Sequence, residues 1–213
     1  MDSAGEHAIT GNTVGSIDWS VASKPFPGQT RSGDLHVVAT HQQGVFLAVI
    51  DGLGHGPDAA EAAELAATIL AASPNEDIIV LMRRCDAALK PTRGAVMSVA
   101  TVEYAENAMT WGGIGNVNAV VFREDPRRVP PRQRLAPRPG VIGSGLALPT
   151  SEQTSLFEGD VLVFTTDGIT SAFVDAFEPE RGASPQAIAD RILEDFWARR
   201  DDALVLVARY HGN

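Results

Sequence analysis

The sequence predicts an α+β domain, on three observations. Short apolar runs bounded by glycine recur along the chain, a strongly helix-forming stretch separates one group of them from the next, and twice an apolar run delivers an aspartate–glycine pair to its own end. Strands and helices grouped in separate blocks mark the α+β class. The clearest strand, V-F-L-A-V-I from Val45 to Ile50, reads as covered on both faces. It runs into Asp51 and then G-L-G-H-G, where Gly52, Gly54 and Gly56 allow a sharp turn and a close backbone approach to a ligand. A carboxylate beside free carbonyls is the hard-oxygen donor set that magnesium or manganese prefers. A plain strand-to-helix turn with Asp51 as its cap is the alternative.

A chain of 213 residues with 44% hydrophobic content suits one domain with one sizeable core. Its net charge of -10 and pI near 4.9 argue against nucleic acid as the main partner, because phosphate backbones call for clustered Lys and Arg. The single cysteine, Cys85, sits in a helical context and cannot form an internal disulfide. With no basic stretch followed by an apolar core at the start, and no apolar run of about 18 residues, the expectation is a cytoplasmic protein.

In chain order, Met1 to Val14 is expected to fray or to form a short edge segment, and Ser16 to Lys24 alternates as a first strand. Pro25 to Gly33 is a loop, after which Asp34 opens a strand, L-H-V-V-A-T-H, paired through the Gln42 to Gly44 turn with the strand ending at Asp51. Asp34 is thus a second candidate ligand, while His36 and His41, without acidic or cysteine partners at metal spacing, are packing residues. Pro57 to Ala72 and Asn75 to Leu89 are helical, the first with proline and acids in its first turn. Asp58, Glu61 and Glu64 share a face there, read as a solvated acidic face and not as metal ligands. Gly94 to Tyr104 and Met109 to Arg123 form a hairpin, in which Gly112, Gly113 and Gly115 suggest a bulge or close approach; Asn116 and Asn118 face a site or a turn equally well.

Asp125 to Gly140 carries five arginines and five prolines and is neither a helix nor a central strand. Its arginines either keep an exposed loop soluble or dock an acidic or phosphorylated partner between Arg127 and Arg138. Val161 to Phe164 repeats the earlier logic by delivering Asp167-Gly168. Pro185 to Arg200 is amphipathic through Ile188, Ile192, Leu193, Phe196 and Trp197, and Asp201-Asp202 opens a closing strand.

Together S-G-D at Ser32 to Asp34, D-G-L-G-H-G at Asp51 to Gly56, T-D-G at Thr166 to Gly168 and D-D at Asp201-Asp202 resemble the metal-dependent type 2C serine/threonine protein phosphatases, in their bacterial SpoIIE-like branch. The resemblance spans nearly the whole chain. With no sensor or kinase-like segment in the sequence, it is closest to a stand-alone phosphatase of stressosome proteins. It implies a four-layer α-β-β-α sandwich, two antiparallel sheets flanked by helices, with two divalent cations, Mn2+ or Mg2+, at one end. By motif position Asp51 would bridge the metals, the Gly52 carbonyl would bind one, Asp167 and Asp201 would bind the other, and Asp34 matches the family's early acid. His55 would donate a proton to the leaving oxygen, unless it caps a helix or packs. The implied substrate is a phosphorylated protein, a stressosome or anti-sigma-antagonist (STAS) protein. The chain departs from the larger enzymes in reducing their arginine and paired acids to Arg31 and Gly33-Asp34, and in following D-D with Ala203-Leu204. A non-catalytic binding module and a hydrolase of small phosphate esters are the rival readings.

Overall fold

The structure, a computed structural model, describes residues 12–145 and 149–212. The first strand, β1 (Asn12–Val14), is the edge segment expected near the start, and the rest of that stretch lies outside the described residues. The other strands are β2 (Ile17–Lys24), β3 (Asp34–His41), β4 (Gly44–Gly52), β5 (Ala95–Glu103), β6 (Ala108–Ile114), β7 (Asn118–Phe122), β8 (Arg132–Leu135), β9 (Glu152–Ser155), β10 (Val161–Thr165) and β11 (Ala203–Tyr210). The helices are α1 (Pro57–Ala71), α2 (Ile78–Leu89), α3 (Phe173–Ala176) and α4 (Pro185–Phe196).

Two sheets result, one in the order β1-β2-β11-β10-β7-β8 and the other β3-β4-β5-β6-β9, with every pairing antiparallel. Strand alternation decides what lies on each face. Along β4, Val45, Leu47 and Val49 enter the core shared by the two sheets, whereas Phe46, Ala48 and Ile50 pack with Leu70, Leu81 and Met82 of α1 and α2. Along β10, Leu162 and Phe164 face the shared core while Val161 and Val163 pack against Ile188 and Ile192 of α4. Three apolar layers therefore separate four structural ones, and the α-β-β-α sandwich expected from the motifs is the observed fold.

Local signals set the helix ends. Asp77 caps α2 by accepting from the Ile79 and Val80 amides, so this helix starts at Ile78 and not at Asn75. Alanines at 59, 60, 62, 63 and 66 form the buried face of α1, which lets it approach the sheet closely. A Cβ at Gly52 would lie 2.0 Å from the Ala59 carbonyl oxygen, so this contact admits only glycine.

One expectation is corrected. Met109 to Arg123 is not one strand: β6 ends at Ile114 in one sheet, and β7 begins at Asn118 in the other. The crossing uses Gly115, whose φ of 96° suits only glycine and whose added Cβ would lie 2.2 Å from Val96 Cγ1. The polar stretch before Glu158 contributes β9, an edge strand whose mostly exposed residues give no apolar alternation to read. The Arg/Pro-rich stretch contributes β8, the opposite sheet's edge.

Candidate metal centre

The candidate acids meet where the core between the sheets gives way to solvent. Gln42 and Gln43 form the turn of the β3–β4 hairpin, pairing His41 with Gly44; the same register places Asp34 directly opposite Asp51. Residues so paired share a face, with Cβ atoms about 4.5–5.5 Å apart. Parity puts Asp51 in line with Val45, Leu47 and Val49, on the face turned toward the other sheet. From that sheet Thr166 follows Phe164 at the end of β10, and its hydroxyl donates to Asp34 Oδ2 at 2.7 Å while accepting from the Leu204 amide at 2.9 Å. Asp167 comes next and is exposed, its Oδ2 accepting from Asn116 Nδ2 at 2.8 Å. Asn116 therefore faces the site, one of the two roles open to it from the sequence.

Asp201 and Asp202 are neighbours with opposite duties. Asp202 is buried, and its two carboxylate oxygens accept from the Phe26 amide at 2.7 Å and the Gly33 amide at 2.8 Å, fastening the 25–33 loop beneath the site. Asp201 stays half-buried, and among the described residues its carboxylate accepts from the next amide, that of Asp202. The Gly33 carbonyl in turn accepts from the Gly52 amide at 3.1 Å, so S-G-D, D-G and D-D are joined by backbone as well as by charge.

Electrostatics here are unbalanced. Burial, and then repulsion from Asp202, Asp167 and Asp201, push Asp34 up to about 8 against the Thr166 hydrogen bond, and burial, then repulsion from Asp34, Asp167, Asp201 and Asp202, push Asp51 up to about 9. Asp201 is raised as well, by desolvation first and by Asp167 and Asp202 after it, against the Asp202 amide and His55. Among the described residues, no ion pair includes Asp34, Asp51, Asp167, Asp201 or Asp202. Nor do three His, Cys, Asp or Glu side chains among them already stand in metal-holding geometry. The donor chemistry nonetheless fits divalent cations: an all-oxygen set, half of it buried, with its negative charge unneutralised by the protein.

The remaining candidates are placed as follows. His55 stacks on Phe26 at a centroid distance of 5.1 Å and close enough to Asp201 to favour that group's charge; it caps no helix, since the N-cap of α1 is Gly56 with no side-chain bond. Asp58 pairs with Arg93 and Glu64 with Arg31, both on the exposed side of α1. Arg31 is therefore engaged away from the acids. His36 lies against Trp19, where burial lowers its pKa, and Cys85 is buried with its thiol pushed up to about 12, which leaves it inert. In the Arg/Pro-rich stretch, Arg127 pairs with Asp125, Arg134 with Asp175, and Arg132 with Glu178 and the Val174 and Asp175 carbonyls. Arg132 and Arg134 fasten the stretch to the region of α3, while the Arg127 pair stays within the stretch itself.

Residues 41–211 match the family of Stage II sporulation protein E (SpoIIE). The chain belongs to this family. It is a type 2C phosphatase domain of the SpoIIE branch, as its motifs led one to expect. It is 24% identical over 185 residues to the phosphoserine phosphatase RsbX of Bacillus subtilis (strain 168), covering 85% of this chain and 89% of that one. The crystal structure of RsbX in complex with magnesium superimposes with a TM-score of 0.83 at 20% identity, over 94% of this chain and 98% of the other. A chain from a structure of the bacterial stressosome, described as a modular system adapted to control secondary messenger signalling, gives a TM-score of 0.81 at 26% identity over 91% and 99%. No helix among the described residues is long and apolar enough to cross a membrane.

Proposed function

We propose that this SpoIIE-family phosphatase hydrolyses phosphoserine or phosphothreonine on a cytoplasmic protein, using two divalent cations, Mn2+ or Mg2+, and that its substrate is a stressosome or STAS-type anti-sigma-antagonist protein. The likeness to RsbX and to a stressosome-associated chain supports the substrate class. The observation that carries the reading is the convergence of Asp34, Asp51, Asp167 and Asp201 from both sheets on one end of the sandwich with no cationic partner.

In this reading Asp34, Asp51, the Gly52 carbonyl, Asp167 and Asp201 would hold the metals. When bound, such a pair supplies an activated water and a clamp on the phosphoryl oxygens during in-line displacement. The chain's own residues do the rest. Thr166 and Asn116 fix the orientations of Asp34 and Asp167, Asp202 holds the 25–33 loop in place, and His55, braced by Phe26, is positioned to give a proton to the leaving serine or threonine oxygen.

Hydrolysis of a small aryl phosphate with added manganese, lost in chelator, tests the enzyme against a non-catalytic binding module. Turnover of a phosphoserine protein but not of nucleotides separates a protein phosphatase from a hydrolase of small phosphate esters.

A further inference from the structure

Beside Asp167 opens a groove of about 410 Å³ lined by Asn116, Asn118, Thr170, Ser171 and Arg200. Arg200 reaches it from the short segment Trp197–Asp202, which is tied down by backbone and side-chain hydrogen bonds. The Ala198 amide donates to the Gly168 carbonyl, the Thr170 amide to the Phe196 carbonyl, and Trp197 Nε1 to the Asp201 carbonyl. The Trp197 ring carries two cations, Lys24 Nζ at 5.3 Å and the Arg199 guanidinium at 5.4 Å. Arg199 also takes a φ of 58°, a conformation non-glycine residues seldom adopt, and the turn it makes brings Arg200 to the groove. Arg200 is exposed and, among the described residues, joins no ion pair.

A phosphoserine segment approaching a protein of net charge -10 meets long-range repulsion that two divalent cations would offset only at the metal centre itself, so an unneutralised cation on the groove leading there favours and orients its entry. Arg31 is bonded to Glu64 at 2.5 Å, and Arg127, Arg132 and Arg134 are paired to acids of their own region. Among the described residues, Arg200 is the arginine that joins no ion pair and lines the groove beside Asp167. We infer that Arg200 is the substrate-positioning residue of this chain, gripping the phosphoryl oxygens by its planar fork and leading the phosphoserine segment along the groove past Asn118 and Ser171. This rests on the phosphatase reading above.

The test compares wild type, Arg200→Ala, Arg200→Gln, Arg200→Lys and Arg83→Ala, the last removing the same charge from the exposed face of α2. Two quantities are read on the manganese-loaded full chain: KM and kcat for a phosphoserine peptide, and the Kd of inorganic phosphate by calorimetry. Arg200→Ala and Arg200→Gln should raise both KM and phosphate Kd about tenfold with kcat within about threefold, Arg200→Lys should recover part of the loss, and Arg83→Ala should match wild type. Manganese affinity should be the same in all five. Unchanged KM and Kd in Arg200→Ala, an equal loss in Arg83→Ala, or a fall in manganese affinity overturns the inference. If wild type turns over no phosphate ester yet binds phosphate through Arg200, the phosphatase reading fails and the anion site stands; if it turns over substrate with no dependence on Arg200, only this inference fails.

Discussion

Strand β10 has a carboxylate beyond each end, and the two are treated in opposite ways. Asp160, just before Val161, is fully buried and fully satisfied: Arg123 reaches it at 2.5 Å, and the Phe157 and Glu124 amides donate to it. Arg123 spends its other donors on the Ser155 carbonyl, Gln133 and Thr154, which ties β7, β8, β9 and β10 together. At the other end, buried Asp34 and half-buried Asp51 stand opposite one another with Asp167 and Asp201 beside them and, among the described residues, no ion pair. A buried charge that the protein completes is architecture; one left incomplete at the sheet end is where the proposed cations would supply the missing charge.

The sharpest way to break the comparison is to remove a charge at each end. At the acid end, Asp51→Asn or Asp167→Asn should lower kcat/KM by about 10²- to 10³-fold or more, with circular dichroism and solubility unchanged, since these side chains carry no packing. At the other end the pattern inverts. Arg123→Ala or Asp160→Ala should cost about 3–5 kcal/mol of stability in denaturant titration, by stranding a buried partner, while the protein that remains folded keeps its kcat.

The second contrast concerns metal-free protein. Asp34 and Asp51 hold protons far more tightly folded than unfolded, so their contribution to stability is complete below the unfolded pKa near 3.8 and is lost as pH rises through about 8 and 9. Thermal melts in chelator should therefore fall steadily from pH 5 to pH 9, and saturating manganese should flatten that slope. Asp51→Asn removes one of the two groups and should stabilise metal-free protein at pH 8 by about 1–3 kcal/mol even as it abolishes activity. A variant less stable than wild type under these conditions would show that Asp51 is structural, like Asp160.

The smallest expected effect lies on α1. Glu64→Gln breaks an exposed pair with Arg31 and should cost less than about 1 kcal/mol, with manganese affinity unchanged.

Sequence reasoning reached the ends of the strands more securely than the space between them. Asp51 and Asp167 were legible because an apolar run points at its own terminus, and glycine after each marks a close contact: an added Cβ at Gly52 or Gly168 would strike the Ala59 or Asp202 carbonyl oxygen at 2.0 or 1.9 Å. That Asp34 stands opposite Asp51 depends on a two-residue turn at Gln42-Gln43 with no Asn-Gly signature, so the sequence by itself does not specify the register. The unequal roles of Asp201 and Asp202 could not be read, because adjacent residues differ only in which face they turn to, and Asp202 is claimed by amides 169 and 176 positions away. The sheet change between β6 and β7 was hidden for a similar reason: both segments are strand-like, and only the left-handed Gly115 separates them. Arg200 read merely as the end of an amphipathic stretch, since its freedom is defined by where every other arginine is bound.

The most direct measurement is a calorimetric titration of manganese into chelator-stripped protein, wild type and Asp51→Asn, at pH 7.5. The account predicts two ions per wild-type chain, a rise in melting temperature with loading, and loss of at least the tighter ion in Asp51→Asn. Phosphatase activity that persists undiminished in excess chelator, with no manganese bound, would contradict it.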